Sequence, residues 1–237
     1  SVRRAEKLLD GAYDAERDEV APAAFDWKDF TDEEFWLCPP IVAMGGDGAM
    51  GDAGFQHLSR VLASGRPIRV VILDTQGHSD SGGEASTSSF TGQTGGVSAF
   101  GPSRRGRTEV RKELGLLTVA HRGVFVHQSS QASAAHLMGG VLRGLKKRRP
   151  ALFNIYTPCP MEHGLPDHGA AQAARFALES RAFPFFTYDP DGGPSFSDCL
   201  SLTANPSPDT DWPRYALRHL DDANVGQTIE IPLTIPD

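Results

Sequence analysis

Cysteine is scarce. The 237-residue chain holds three, Cys38, Cys159 and Cys199, too few for a disulfide framework. Free thiols are expected of a reducing, cytoplasmic setting. Long apolar runs are missing, so no membrane span is expected. The opening Ser1 to Lys7 has charges but none of the apolar run of a signal peptide. Basic charge is also short. Lys and Arg number 23 against 30 Asp and Glu, giving a net charge of −7. A nucleic-acid partner would need clustered cations, so none is expected. The one basic run, Lys146 to Arg149, closes a predicted helix, where cations suit the negative end of the dipole. No G-x-S-x-G nucleophile elbow occurs, which argues against a serine hydrolase. Cys159, His163 and His168 lie close in sequence but lack an evident fourth zinc ligand. Internal repeats and long low-complexity tracts are absent.

What is present is a globular composition, with 39% hydrophobic residues, and a regular alternation of apolar runs. Residues 1–37 form an acidic, partly helical lead-in, with Val2, Leu8 and Leu9 on a short helix and aromatic residues through Trp36. Strands are expected at Pro40–Met44, Ile68–Leu73, Gly123–His127, Ala151–Ile155 and Phe183–Tyr188. Helices are expected over Asp52–Ala63, Thr108–Thr118, Gln131–Lys147 and Gly169–Ser180. This order predicts an α/β domain over 38–190, a doubly wound and mainly parallel sheet with helices on both faces. Ligands in such sheets sit at the carboxyl ends of the strands. Residues 74–106 form a Gly-, Ser- and Thr-rich loop long enough to be functional. Residues 191–237 read as irregular cover with one helix near Trp212 to Leu220.

The sharpest local signal is Gly45-Gly46-Asp47-Gly48-Ala49-Met50-Gly51, between a predicted strand and a predicted helix. Glycines there let backbone N–H groups approach phosphate oxygens. Gly46, Gly48 and Gly51 also fit G-x-G-x-x-G, and Asp74 ends the next strand, so a NAD(P)- or flavin-binding dehydrogenase is an open alternative. Asp47 weighs against it. A carboxylate facing a diphosphate is repelled by roughly 4 kcal/mol per unit pair at an effective dielectric near 20 unless a cation intervenes. Magnesium takes one or two carboxylates plus substrate phosphates, so Asp47 favours a metal-bridged diphosphate. A plain helix cap at Asp47 is the bland reading. The next strand ends in Asp74-Thr75-Gln76-Gly77-His78-Ser79-Asp80-Ser81-Gly82-Gly83, where Thr75 offers a hydroxyl and Gly77 a carbonyl.

These residues together resemble the thiamine-diphosphate domain of pyruvate:ferredoxin (flavodoxin) and other 2-oxoacid:ferredoxin oxidoreductases. Val61 to Gly65, Arg111 to Gly115, Ile155 to Cys159 and Phe183 to Pro190 extend the likeness over about residues 38–200. The resemblance implies that Asp47, Thr75 and the Gly77 carbonyl bind magnesium, and that Gly46, Gly48, Ala49 and Ser79 line the diphosphate. It implies oxidative decarboxylation of a 2-oxoacid, coenzyme A as acyl acceptor, and electrons passing to iron–sulfur clusters and then ferredoxin or flavodoxin. Cys159 matches one cluster cysteine, so a four-iron–four-sulfur cluster would draw its other thiolates from another segment or chain. A pyrimidine-binding domain or subunit carrying the activating Glu is implied as partner, in an oligomer. Asp80 stands where the family has Asn, near the reacting carbon. Its charge would repel an anionic 2-oxoacid, which implies a divergent substrate or weakened turnover. A catalytically silent partner-binding subunit and a metal-dependent phosphotransferase complete the alternatives.

Overall fold

The computed structural model describes residues 7–12, 14, 27, 30–38, 40–95, 100–101 and 104–232. The sequence residues Val2 and Asp26 lie outside them. Two compact units emerge, Ser1–Pro39 and Pro40–Asp237. In the first, helix α1 (Asp32–Leu37) starts at a capping box. The Thr31 side chain accepts from the Glu34 N–H, and Glu34 Oε2 accepts from the Thr31 N–H. Leu8 and Leu9 lie in a helical turn but are exposed.

The second unit is built on a six-stranded sheet ordered β1-β2-β6-β5-β7-β8. Strands β1 (Val42–Gly46), β2 (Arg69–Asp74), β5 (Phe125–Ser130) and β6 (Ala151–Tyr156) run parallel. The short β7 (Phe186–Tyr188) and β8 (Leu200–Ser201) are antiparallel additions, while β3 (Phe100–Gly101) and β4 (Arg104–Arg105) pair antiparallel in a separate two-stranded sheet. Helix α2 (Phe55–Ala63) follows β1, and α3 (Leu114–Val119) precedes β5. Both pack on one face, where Leu58, Leu62, Leu114, Val70, Ile72, Val126 and Leu152 form the main core. Helix α4 (Ala134–Leu145) covers the other face, with Val141 against Phe125, Ala151 and Phe153. Helix α5 (Ala170–Glu179) buries Ala174, Ala177 and Leu178 against Tyr156, Phe183 and Phe185. Each buried large apolar side chain contributes roughly 1.5–3 kcal/mol. The layers match the expected doubly wound α/β fold. Among the described residues no helix is long and apolar enough to cross a membrane.

Three elements differ from expectation. The helix predicted over Thr108–Thr118 begins only at Leu114. Its first half is held extended: the Lys112 N–H donates to Thr87 O, and the Arg111 guanidinium donates to Ala182 O. These long-range bonds outcompete local helix propensity. Phe183 and Phe185 lie outside the closing strand and are core residues before it.

The tail helix expected near Trp212–Leu220 is instead strand β9 (Arg214–Leu220), paired with β10 (Gly226–Pro232) in a separate hairpin. Asp221 Oδ1 accepts from the Ala223 and Val225 N–H groups, and Asn224 takes a left-handed φ of 60°. That turn brings the β-branched 228–231 stretch across from residues whose Ala and Leu spacing had looked helical.

Candidate functional site

Strands β1 and β2 are parallel neighbours, with Gly46 opposite Leu73. Their carboxyl ends therefore deliver residues 46–49 and 74–79 side by side. The Asp47 side chain is 0% exposed. Asp47 Oδ1 accepts from the Thr75 N–H at 3.0 Å and lies 3.1 Å from Thr75 Oγ1. Its Oδ2 accepts a short hydrogen bond from Ser86 Oγ. Thr75 Oγ1 is also 2.9 Å from Gly77 O and 3.4 Å from Ser79 Oγ. Thus the carboxylate, hydroxyl and carbonyl named from sequence converge on one point.

This oxygen cluster is short of hydrogens. One Thr75 hydroxyl proton cannot serve both Asp47 Oδ1 and Gly77 O. Their separations also match the edge of an octahedron with about 2.1 Å metal–oxygen bonds, which is about 3.0 Å. The donor set therefore fits a magnesium-sized cation. Among the described residues no three or more His, Cys, Asp and Glu side chains are grouped so as to hold a metal ion. A hard-oxygen site needs only one such carboxylate beside hydroxyl, carbonyl and phosphate oxygens.

Beside the cluster opens a cleft of about 310 Å³ lined by Gly46, Gly48, Ala49, Thr75, His78 and Ser79, among others. The chain turns helical straight after β1 in a wide turn, Ala49–Ala53, that no side chain caps. Its first N–H groups are left for an outside acceptor. A side chain at Gly48 would force the His78 ring to move, since a Cβ would sit 2.3 Å from it. His78 Nε2 pairs with Asp52 Oδ2 at 3.1 Å, and Asp52 also accepts from the Thr87 N–H. His78 N–H to Glu84 O, at 2.8 Å, closes the 78–84 loop. Asp80 lies in the 3-10 turn Ser79–Ser81; its side chain lies outside the described residues.

Asp74 answers the dinucleotide alternative. Its carboxylate is buried, with Oδ1 taken by Gln76 Nε2 at 2.6 Å and Oδ2 by Asn154 Nδ2 at 3.2 Å. A ribose hydroxyl cannot reach it. Burial and the neighbouring Asp47 charge push the Asp74 carboxyl well above the usual range, against the pull of Arg111 and its hydrogen bonds to Asn154 and Gln76. Sequence reading missed Ser86, Gln76 and Asn154. Ser86 lies 39 residues from Asp47, in a loop with no periodic signal.

Cys159 is a free, half-buried thiol. Its N–H lies 3.1 Å from His163 Nδ1, so that imidazole is engaged with the local backbone. The buried Cys199 packs in the main core with Tyr188.

No family model matches the chain. Similar curated proteins do. The pyruvate:ferredoxin oxidoreductase of Moorella thermoacetica is 32% identical over 192 residues, covering 79% of this chain and 15% of that protein. The NADH-dependent phenylglyoxylate dehydrogenase subunit beta of Aromatoleum evansii is 28% identical over 173 residues, 72% of this chain and 38% of that subunit. The pyruvate synthase subunit PorB of Thermotoga maritima is 24% identical over 146 residues, 62% of this chain and 45% of that subunit. The chain thus spans less than half the length of each. Matches of this extent, together with the parallel α/β sheet, establish that the chain belongs to the 2-oxoacid:ferredoxin oxidoreductase family.

Proposed function

We propose that this chain is the thiamine-diphosphate- and magnesium-binding part of an enzyme that oxidatively decarboxylates a 2-oxoacid. The single observation carrying this reading is the convergence of Asp47 Oδ1, Thr75 Oγ1 and Gly77 O at the carboxyl ends of two adjacent parallel strands. Those three atoms would hold magnesium. The open backbone of Gly46, Gly48 and Ala49 and the Ser79 hydroxyl would take the diphosphate oxygens, in the cleft that they line. When bound, thiamine diphosphate supplies the carbanion chemistry. The chain's own residues orient it: Asp47 fixes the cation, Ser86 and the Thr75 N–H fix Asp47, and the His78–Asp52 pair walls the cleft.

Electrons would leave through iron–sulfur clusters to ferredoxin or flavodoxin, with coenzyme A as acyl acceptor. Three cysteines cannot supply the four thiolates of a cuboidal cluster. Cys199 is buried in the main core. A cluster served by Cys159 would take its remaining thiolates from another segment or chain. A pyrimidine-binding domain or subunit would complete the active site in an oligomer. Asp80 would face the substrate, and its charge would disfavour small anionic 2-oxoacids unless paired. The relative named for phenylglyoxylate supports a family open to acids other than pyruvate.

Calorimetry with thiamine diphosphate, with and without magnesium, tests the reading. Binding that requires the cation supports it. Uptake of NAD with no need for a cation would sink it. In the assembled enzyme, Asp80→Asn should raise kcat/KM for pyruvate, and unchanged kinetics across several 2-oxoacids would remove Asp80 from the substrate site.

A further inference from the structure

We propose that Gln76 and Asp74 are positioning residues that brace the corner presenting Thr75 Oγ1 and Gly77 O to the cation, an inference that rests on the metal–diphosphate reading above. Gln76 stands between Thr75 and Gly77. It is completely buried, and its φ is +61°. A left-handed conformation is unfavourable for a residue with a long side chain. Here it turns the chain so that the oxygens on either side come within 2.9 Å of each other. Such strain persists where the surroundings over-determine it, and the surroundings of Gln76 do so.

Its side chain folds back so that Nε2 donates to Asp74 Oδ1 at 2.6 Å, and its own N–H donates to the same oxygen at 3.3 Å. Its carbonyl accepts from Gln93 Nε2 at 2.8 Å and from Ser89 Oγ. Asp74 is tied onward. Its Oδ2 accepts from Asn154 Nδ2, the same nitrogen lies 3.1 Å from Gln128 Oε1, and Gln128 Nε2 donates to Pro184 O at 2.8 Å. The brace thus runs from the corner across β2, β6 and β5 to the segment before β7. Asn154 pairs with Gln128 and with Ile72 in the strand register, so the three anchors sit on rigid strands.

The brace is not optimised for stability. Gln76 Oε1 and Asn154 Oδ1 are buried without a hydrogen-bond partner, and each unpaired acceptor is unfavourable. Asp74 does not line the cleft, and its carboxylate hydrogen-bonds to Gln76 and Asn154 and not to Asp47, Thr75 or Gly77, so its positioning role is exerted through Gln76.

The test is a magnesium titration by calorimetry at fixed thiamine diphosphate, with urea unfolding of each variant in parallel. Gln76→Gly keeps the left-handed φ accessible but removes the side chain. Gln76→Asn tolerates that φ but is too short to repeat the bond, and it serves if the glycine variant fails to fold. Each should weaken magnesium about 10–100-fold, as outer-shell losses do. Asp74→Ala should fall as far. Asp74→Asn keeps an acceptor for Gln76 Nε2, and an Asn154 amide flipped to present its unpaired Oδ1 would take the new donor, so it should stay within about threefold of wild type. Wild-type magnesium affinity in folded Gln76→Gly or Gln76→Asn overturns the brace and leaves the site reading intact. An Asp74→Asn loss as deep as Asp74→Ala also overturns it, because charge and not positioning would then be at work. A wild-type chain that takes no magnesium with the cofactor overturns both.

Discussion

At the amino end of β2, Arg69 is fully buried, and its guanidinium donates to the carbonyls of Arg149 at 2.8 Å, Leu145 at 3.0 Å and Lys147. At the carboxyl end of the same strand, six residues long, Asp74 is buried beside a second acid, Asp47. Arg69 meets the carbonyl end of α4 and its exit, where a cation is favoured twice over, by hydrogen bonding and by the helix dipole. Burial lowers its pKa to about 10, so it stays charged at neutral pH. Asp74 faces the opposite situation: burial and a like charge both disfavour its ionised form. The strand thus has one end where a buried charge is answered within the chain and one where two buried carboxyl groups crowd each other beside a cleft. In parallel sheets the second kind of end is where ligands sit. The difference separates a residue that serves the fold from residues that the proposed function assigns to a cation.

The largest expected effect is at the answered end. Arg69→Met removes three donors from buried carbonyls and should cost about 4 kcal/mol, the scale of losing two or three charge-assisted hydrogen bonds. That is a large part of a domain's usual stability of about 5–15 kcal/mol. Urea denaturation checks it; a loss below about 1 kcal/mol would mean that the helix end finds other donors. Next comes the unanswered end. Asp47→Ala should abolish magnesium-dependent uptake of thiamine diphosphate, weakening it more than about 100-fold, or about 2.7 kcal/mol. The variant should still fold, because the mutation also removes the repulsion on Asp74. Full-strength uptake by this variant would erase the functional contrast between the ends.

Between the ends, on β5, lies a buried base instead of a buried acid. His127 is held by Thr187 Oγ1 at 2.9 Å, with its ring centroid 4.7 Å from that of His136. Burial, then the positive charges that His136 and Arg143 can carry, push its pKa down to about 3 from 6.5. The folded chain keeps the ring neutral where the unfolded chain binds a proton, so the unfolded state holds more protons between about pH 6.5 and 3. Stability contributed by the neutral ring is complete above the unfolded value of 6.5 and is lost as pH falls through that window. At pH 5 the loss should be about 2 kcal/mol. Urea midpoints of wild type and His127→Gln from pH 7 to 5 measure it. Parallel slopes in the two proteins would clear His127 of the effect.

Much of this was legible in the sequence, for identifiable reasons. The parallel strands announce themselves because Val70 to Leu73 and Ala151 to Phe153 read as unbroken apolar runs, of which Val70, Ile72, Ala151, Leu152 and Phe153 are buried. Asp47, Thr75 and Gly77 could be named because the glycine turn and the strand end are local patterns 28 residues apart, one helix plus one strand. Ser86, Gln76 and Asn154 could not, since their roles depend on how the folded chain places them: Ser86 reaches in from a loop, Gln76 folds back on Asp74, and Asn154 meets Asp74 from the neighbouring strand. The β9–β10 hairpin escaped for a related reason. Tyr215 to Leu220 has apolar spacing compatible with either element, and only its pairing with residues 226–231 decides.

The smallest expected effect tests whether burial, and not charge alone, is what makes the Arg69 end matter. One layer outward at that end, Lys147 Nζ contacts Asp189 Oδ1 at 2.6 Å and Asp191 Oδ2 at 2.9 Å, and Arg149 also pairs with Asp191. These charges border the same helix exit that Arg69 caps. The Asp191 side chain, however, is 47% exposed, so water already screens the pairs. Asp191→Ala should therefore cost only about 0.2–1 kcal/mol, and the difference should shrink as salt rises to about 0.5 M. Urea midpoints of the two proteins at low and high salt provide the measurement. A salt-independent loss as deep as that of Arg69→Met would show that the outer charges hold the helix end as firmly as the buried guanidinium. The contrast between the two ends of β2 would then rest on charge placement and no longer on desolvation.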